Sequence, residues 1–122
     1  MITYPAYSLL HVIGAFLVFF GFGLSLMQGH LDETARKTAR RWAGVLHGLG
    51  LAMLLVAGFG LLARLGIHWP WPGWVWGKVI IWLLLGGVTV AYKRAVGPAY
   101  VRIIMVLVLG TLAVWLAVYK PF

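Results

Sequence analysis

Four apolar stretches, each close to or beyond the ~20 residues a helix needs to cross a ~30 Å hydrocarbon layer, constrain this chain more than any other feature. They cover residues 6–28, 42–65, 75–91 and 99–119. No aspartate or glutamate falls within them, and the third carries one lysine, Lys78, near its start. The period-two alternation of a barrel strand is absent, whereas a helix satisfies its own backbone groups in lipid. The expected fold is all-α: an integral membrane four-helix bundle, up-down-up-down, forming a single transmembrane domain over 1–122.

Composition narrows the chemistry. Of 122 residues, 63% are hydrophobic and 10% charged, against roughly 45–50% and about 25% in soluble domains. A water-soluble fold of this length has too little interior for that apolar surface, which excludes a soluble enzyme. The absence of cysteine excludes disulfides, thiolate metal sites, iron–sulfur clusters and cysteine nucleophiles. Asp32 and Glu33 are the only acids and are adjacent, so paired-carboxylate catalysis, a Ser-His-Asp triad and a calcium site lack their parts. A net charge of +8 would point to nucleic acid in a soluble protein. Here the basic residues flank apolar runs, so the expected partner is the lipid bilayer, with no nucleic acid.

The connectors set the orientation. The first, residues 29–41, holds Arg36, Lys37, Arg40 and Arg41; the third, residues 92–98, holds Lys93 and Arg94 and ends on Gly97-Pro98. The second, residues 66–74, is rich in Trp and Pro and is bordered only by Arg64 and Lys78. Excess positive charge stays in the cytoplasm, which places connectors one and three inside and both termini on the outer side of a bacterial-type inner membrane. The basic first connector thus reads as topogenic charge, with attraction to anionic lipid as a secondary effect. Trp69, Trp71, Trp74 and Trp76 suit an interfacial aromatic belt. The N-terminal segment lacks the basic region and small-residue cleavage site of a signal peptide, so the first span is expected to remain in the mature protein.

A weak repeat is visible. Leu10-His11-Val12-Ile13-Gly14 followed by Gly21-Phe22-Gly23-Leu24 resembles Leu46-His47-Gly48-Leu49-Gly50 followed by Gly58-Phe59-Gly60-Leu61, with one extra residue in the second copy. Consecutive spans run in opposite directions, so any symmetry would be inverted; coincidence in a Leu/Gly-rich chain is the competing explanation.

Ionisable residues inside a membrane are costly and mark candidate sites. Three qualify: His11, His47 and Lys78. Helical spacing groups His11 with Gly14, Ala15, Val18, Phe22 and Ser25. It groups His47 with Gly50, Leu51, Leu54 and Gly58, and Lys78 with Trp82, Leu85, Thr89 and Tyr92. At ~1.5 Å per residue, His11 and Lys78 share a depth near the outer face, and His47 lies roughly 15 Å further in. The pairings this permits are His11 with Lys78, joined by His68, and His47 with His30. Neutral imidazole is a standard axial ligand of haem iron, and a lysine at the same depth can hold a propionate or act as the opposite ligand. The competing reading is structural. A histidine in a span also hydrogen-bonds a neighbouring helix, and a lysine near a membrane end snorkels to the interface.

Three segments together resemble a known group. They are Leu10-His11 near the start of the first span, Gly58-Phe59-Gly60-Leu61-Leu62-Ala63-Arg64 closing the second, and Gly73-Trp74-Val75-Trp76-Gly77-Lys78 opening the third. Across residues 7–94 they resemble small membrane proteins of the SirB, CopD and HemJ type. In HemJ-type protoporphyrinogen oxidases a first-span histidine and a third-span lysine are associated with porphyrin or b-type haem, which the resemblance carries to His11 and Lys78. The chain departs from that pattern at the start of its second span and at Val88-Thr89-Val90, where a histidine often stands.

The expectation is a protein that binds haem b or a related porphyrin, for electron transfer or porphyrin redox chemistry. His11 and Lys78 would be the cofactor residues, His11 and His47 the metal ligands, and His47 the support of a second haem. If it is an enzyme, it is a membrane oxidoreductase acting on porphyrin or quinone-like carriers. The alternative is a non-catalytic accessory subunit of a larger membrane complex, or a homodimer. Solute transport is a third reading, weakened by the lack of acids in the spans.

Overall fold

Each helix starts and stops for a local chemical reason. In the computed structural model, which describes residues 2–93 and 99–122 with the side chains of 88–93 outside the description, the elements are α1 (Tyr4–Leu26), a 3₁₀ turn (Met27–His30), α2 (Glu33–Arg64), α3 (Gly73–Lys93) and α4 (Ala99–Tyr119). No strand occurs among the described residues. Helix α1 opens on the Thr3 hydroxyl, which accepts from the Ala6 amide, and Pro5 occupies the first turn, where its missing N–H costs nothing. Helix α2 opens on Asp32, whose carboxylate accepts from the Ala35 amide at 2.8 Å. Glu33 adds negative charge at the positive end of the helix dipole. It closes on Gly66 at φ +71°, with Gly66 N–H donating to Ala63 O and Ile67 N–H to Leu62 O. That pair of hydrogen bonds is the Schellman stop, which needs a residue free to turn left-handed.

The second helix therefore begins at Glu33 rather than at residue 42, where hydropathy places it. Residues 33–41 are polar but good helix formers behind an acidic cap. At ~1.5 Å per residue α2 is about 48 Å long, so its first nine residues project beyond the apolar part. The other bounds move by a turn or less, and α4 falls where its apolar run does. Helices α1, α2 and α4 are each long and apolar enough to cross a membrane; the apolar part of α3 described, Gly73–Gly87, is shorter. The connector residues 94–98 and the side chains of Thr89 and Tyr92 lie outside the described residues.

The chain divides into two compact units, Met1–His68 and Trp69–Phe122. The first is an antiparallel hairpin of α1 and α2, closed at one end by Arg64, whose guanidinium donates to Ile2 O, and zipped by small residues between. A Cβ on Gly50 would stand 2.6 Å from both Gly14 O and Val18 N; one on Gly14 would stand 3.0 Å from Gly50 O and 3.1 Å from Leu54 N. A Cβ on Gly21 would meet the His47 amide at 2.7 Å, and the ring of Tyr7 seats on Gly60. Without lipid-excluded water to drive association, close backbone approach of this kind holds helices together in a bilayer.

These contacts come in related pairs. Gly14 touches Gly50; Gly14 touches Leu54 as Val18 touches Gly50; His47 lies on Gly21 as His11 lies on Gly58. An offset of 36 residues maps one set onto the other, exact at the Gly14–Gly50 crossing and slipping by one residue at Gly58. Any antiparallel pair maps its contacts onto each other in this way; what recurs beyond that is residue type, glycine on glycine at the crossing and histidine on glycine to either side.

The second unit pairs α3 and α4, again antiparallel. The Trp74 amide, an orphan donor in the first turn of α3, donates to Phe122 O at 2.9 Å. The Phe122 ring covers Gly73, and Leu116 closes on Gly77. Lys120 Nζ donates to Ala117 O at 2.7 Å and stands 5.4 Å above the Trp74 ring centre. The buried apolar residues here are Trp74, Val75, Ile81, Leu85, Val106 and Leu116.

Candidate functional site

The two intramembrane histidines differ in what surrounds them. His47 is on the face of α2 that α1 covers, between Ala43 and Gly50, and is 5% exposed. Its Nδ1 lies 3.1 Å from Val18 O. A carbonyl only accepts, so Nδ1 carries the proton and donates, which fixes the tautomer. Gly21 is what lets the ring in, since any side chain there would collide with the His47 backbone and Cβ. The sequence places a polar group in the hairpin core, and the core satisfies it with a carbonyl from the opposite helix.

His11 is half-buried on the packed side of α1, three residues before Gly14. It faces Gly58: a Cβ there would lie 3.6 Å from Cε1 and 3.8 Å from Nδ1 of the imidazole, ordinary contact distances. Seven residues of α1 separate His11 from Val18, the level of the His47 ring, so the two imidazoles stand about 10 Å apart along the helix. They do not address one point. The expected pairing of His47 with His30 does not form either. His30 is exposed at the end of the 3₁₀ turn, nine residues beyond Gly21 and thus about 14 Å along the chain axis.

Lys78 belongs to the second unit. It is half-buried on α3, one turn after Trp74 and one turn before Ile81 and Trp82, on the side that carries the buried residues of that helix. His68 is exposed at the end of the first unit. Trp69, Trp71 and Trp76 form a three-ring cluster with centroids 5.1–5.7 Å apart. The rings pack edge-on or tilted against one another. Among the described residues no group of three or more His, Asp or Glu side chains could hold a metal ion. Haem asks less of a protein, one or two axial donors, and both His11, half-buried against Gly58, and His47, enclosed in the hairpin, carry an imidazole.

Hydropathy missed a polar clasp at the far end of the first hairpin. Arg36 Nε donates to Gln28 O and its Nη2 to Leu31 O, both at 3.1 Å. Arg40 Nε donates to Gln28 Oε1 at 3.2 Å. The signal for it was Asp32-Glu33 followed by helix formers, which makes residues 33–41 the first turns of α2 and turns every fourth residue back onto the 3₁₀ turn. No protein-family model matches the sequence, and no curated protein or solved structure matches it. The functional reading therefore rests on the residues themselves.

Proposed function

We propose that this is a multi-pass protein of a bacterial-type inner membrane that binds haem b or a related porphyrin through His11. In this reading all four helices cross the bilayer up-down-up-down with both termini outside. The observation that carries it is the division of labour between the two histidines. His47 is enclosed at 5% exposure, whereas His11 stands half-buried at the related position against Gly58. Likeness of the Leu10-His11 and Gly73–Lys78 segments to HemJ-type proteins supports the choice of porphyrin. Haem so held would supply one-electron transfer. The chain supplies the imidazole, a hairpin that fixes its height, and apolar walls that exclude water and so tune potential. Lys78 is proposed from the sequence alone, as the cation for a propionate.

The test is an absorption spectrum of the purified protein, oxidised and reduced, after growth with haem precursor. A Soret band is expected that His11→Ala abolishes, that Lys78→Ala weakens and that His47→Ala leaves in place. A colourless protein overturns the proposal. The alternative is an accessory subunit or homodimer, in which a partner helix rather than lipid would cover the exposed Ile104, Leu107, Val114 and Val118 of α4. That reading expects a colourless protein in fixed stoichiometry with a partner and assembly intact in His11→Ala.

A further inference from the structure

The four basic residues at the start of α2 do two different jobs. Arg36 and Arg40 turn back onto Gln28 and Leu31 and hold the end of the hairpin. Lys37 and Arg41, equally exposed, occupy the adjoining stripe of the helix, four residues apart. Side chains at that spacing are neighbours, about 6 Å between Cβ atoms, close enough for an ammonium and a guanidinium to grip one phosphate. Arginine offers a planar fork to two phosphate oxygens and lysine a point charge to a third.

Depth selects the kind of phosphate. Arg41 is the last basic residue before the apolar part of α2, and Lys37 lies about 6 Å further out. Trp42, 52% exposed, sits beside them as an interfacial ring. Below Arg41 the same stripe continues as Gly44 and Gly48, and a Cβ on either would meet nothing within 4 Å. Charge at headgroup level above an open strip of helix fits a phospholipid, headgroup and chain together. We propose that Lys37 and Arg41 dock the phosphate of an anionic phospholipid whose acyl chain runs down α2 over Gly44 and Gly48.

This rests on the reading of α2 as a membrane span. The full chain is placed in nanodiscs of phosphatidylcholine containing phosphatidylglycerol, and retained lipid is counted by native mass spectrometry. Selective retention of one phosphatidylglycerol is expected. A basic side chain at an anionic surface contributes about fivefold in affinity, so Lys37→Gln or Arg41→Gln should each weaken retention about fivefold and the pair about 25-fold. Lys120→Gln, in the second unit, should keep it; circular dichroism checks that all four variants fold. Equal retention of both lipids, or retention unchanged in the double variant, overturns the site. So does displacement of the lipid by millimolar inorganic phosphate, which marks a soluble-anion site, or a second copy of the chain bound in place of lipid. Carbonate washing of membranes tests the span separately: release of the protein without detergent overturns the span and leaves the lipid count to be read by itself.

Discussion

Gly50 and Gly58 sit on the same helix, yet one substitution affects them in opposite ways. A methyl on Gly50 would press on two backbone atoms of α1 at 2.6 Å, and neither can move without shifting the helix. Gly50→Ala should cost about 1–3 kcal/mol, the usual range for overpacking, read as a lower unfolding temperature in detergent. Gly58→Ala places its methyl at 3.6 Å from His11 and should leave stability unchanged or raised. The same methyl narrows the space beside the imidazole, so haem retention should fall. A drop in stability without a change in haem would remove Gly58 from the site. The histidines should diverge likewise. His47→Ala loses a buried interhelical hydrogen bond and its ring, roughly 1–3 kcal/mol together, whereas His11→Ala should alter colour more than unfolding temperature.

At the scale of the element, α2 shows how hydropathy and helix chemistry part company. Its apolar run begins at Trp42, but its cap is Asp32, and the turns between are held by Asp32 at one end and by the Gln28 clasp along the side. Asp32→Ala should cost about 1 kcal/mol and speed amide exchange over residues 35–40, with no effect near Gly66. Faster exchange throughout α2 would mean the cap supports the whole hairpin. The polar turns were legible in Asp32-Glu33 and in the helix formers after them, and a window tuned to apolar length passes over both. The far end is set by Gly66, whose left-handed φ lets Gly66 and Ile67 donate back to Ala63 and Leu62, where the sequence by itself marks only the Trp/Pro run that follows.

For the whole molecule the prediction is sidedness. The chain has no cysteine, so single cysteines at Lys37 and His68 can be labelled from either side of sealed vesicles on a clean background. The two should label from opposite sides, Lys37 inside; labelling of both from one face would overturn the orientation proposed from charge. Helical class, four helices and apolar lengths were written in the sequence, because lipid leaves the backbone few solutions and each is local. The histidines were visible there as candidates, and so was the repeat that contains them. What only the tertiary structure decided is how the two differ. Imidazole chemistry is the same at 11 and 47, but a glycine and a carbonyl 29 residues away enclose one ring. Slippage of the repeat by one residue leaves the other facing Gly58, and such partners come from another helix, which one-dimensional periodicity does not specify.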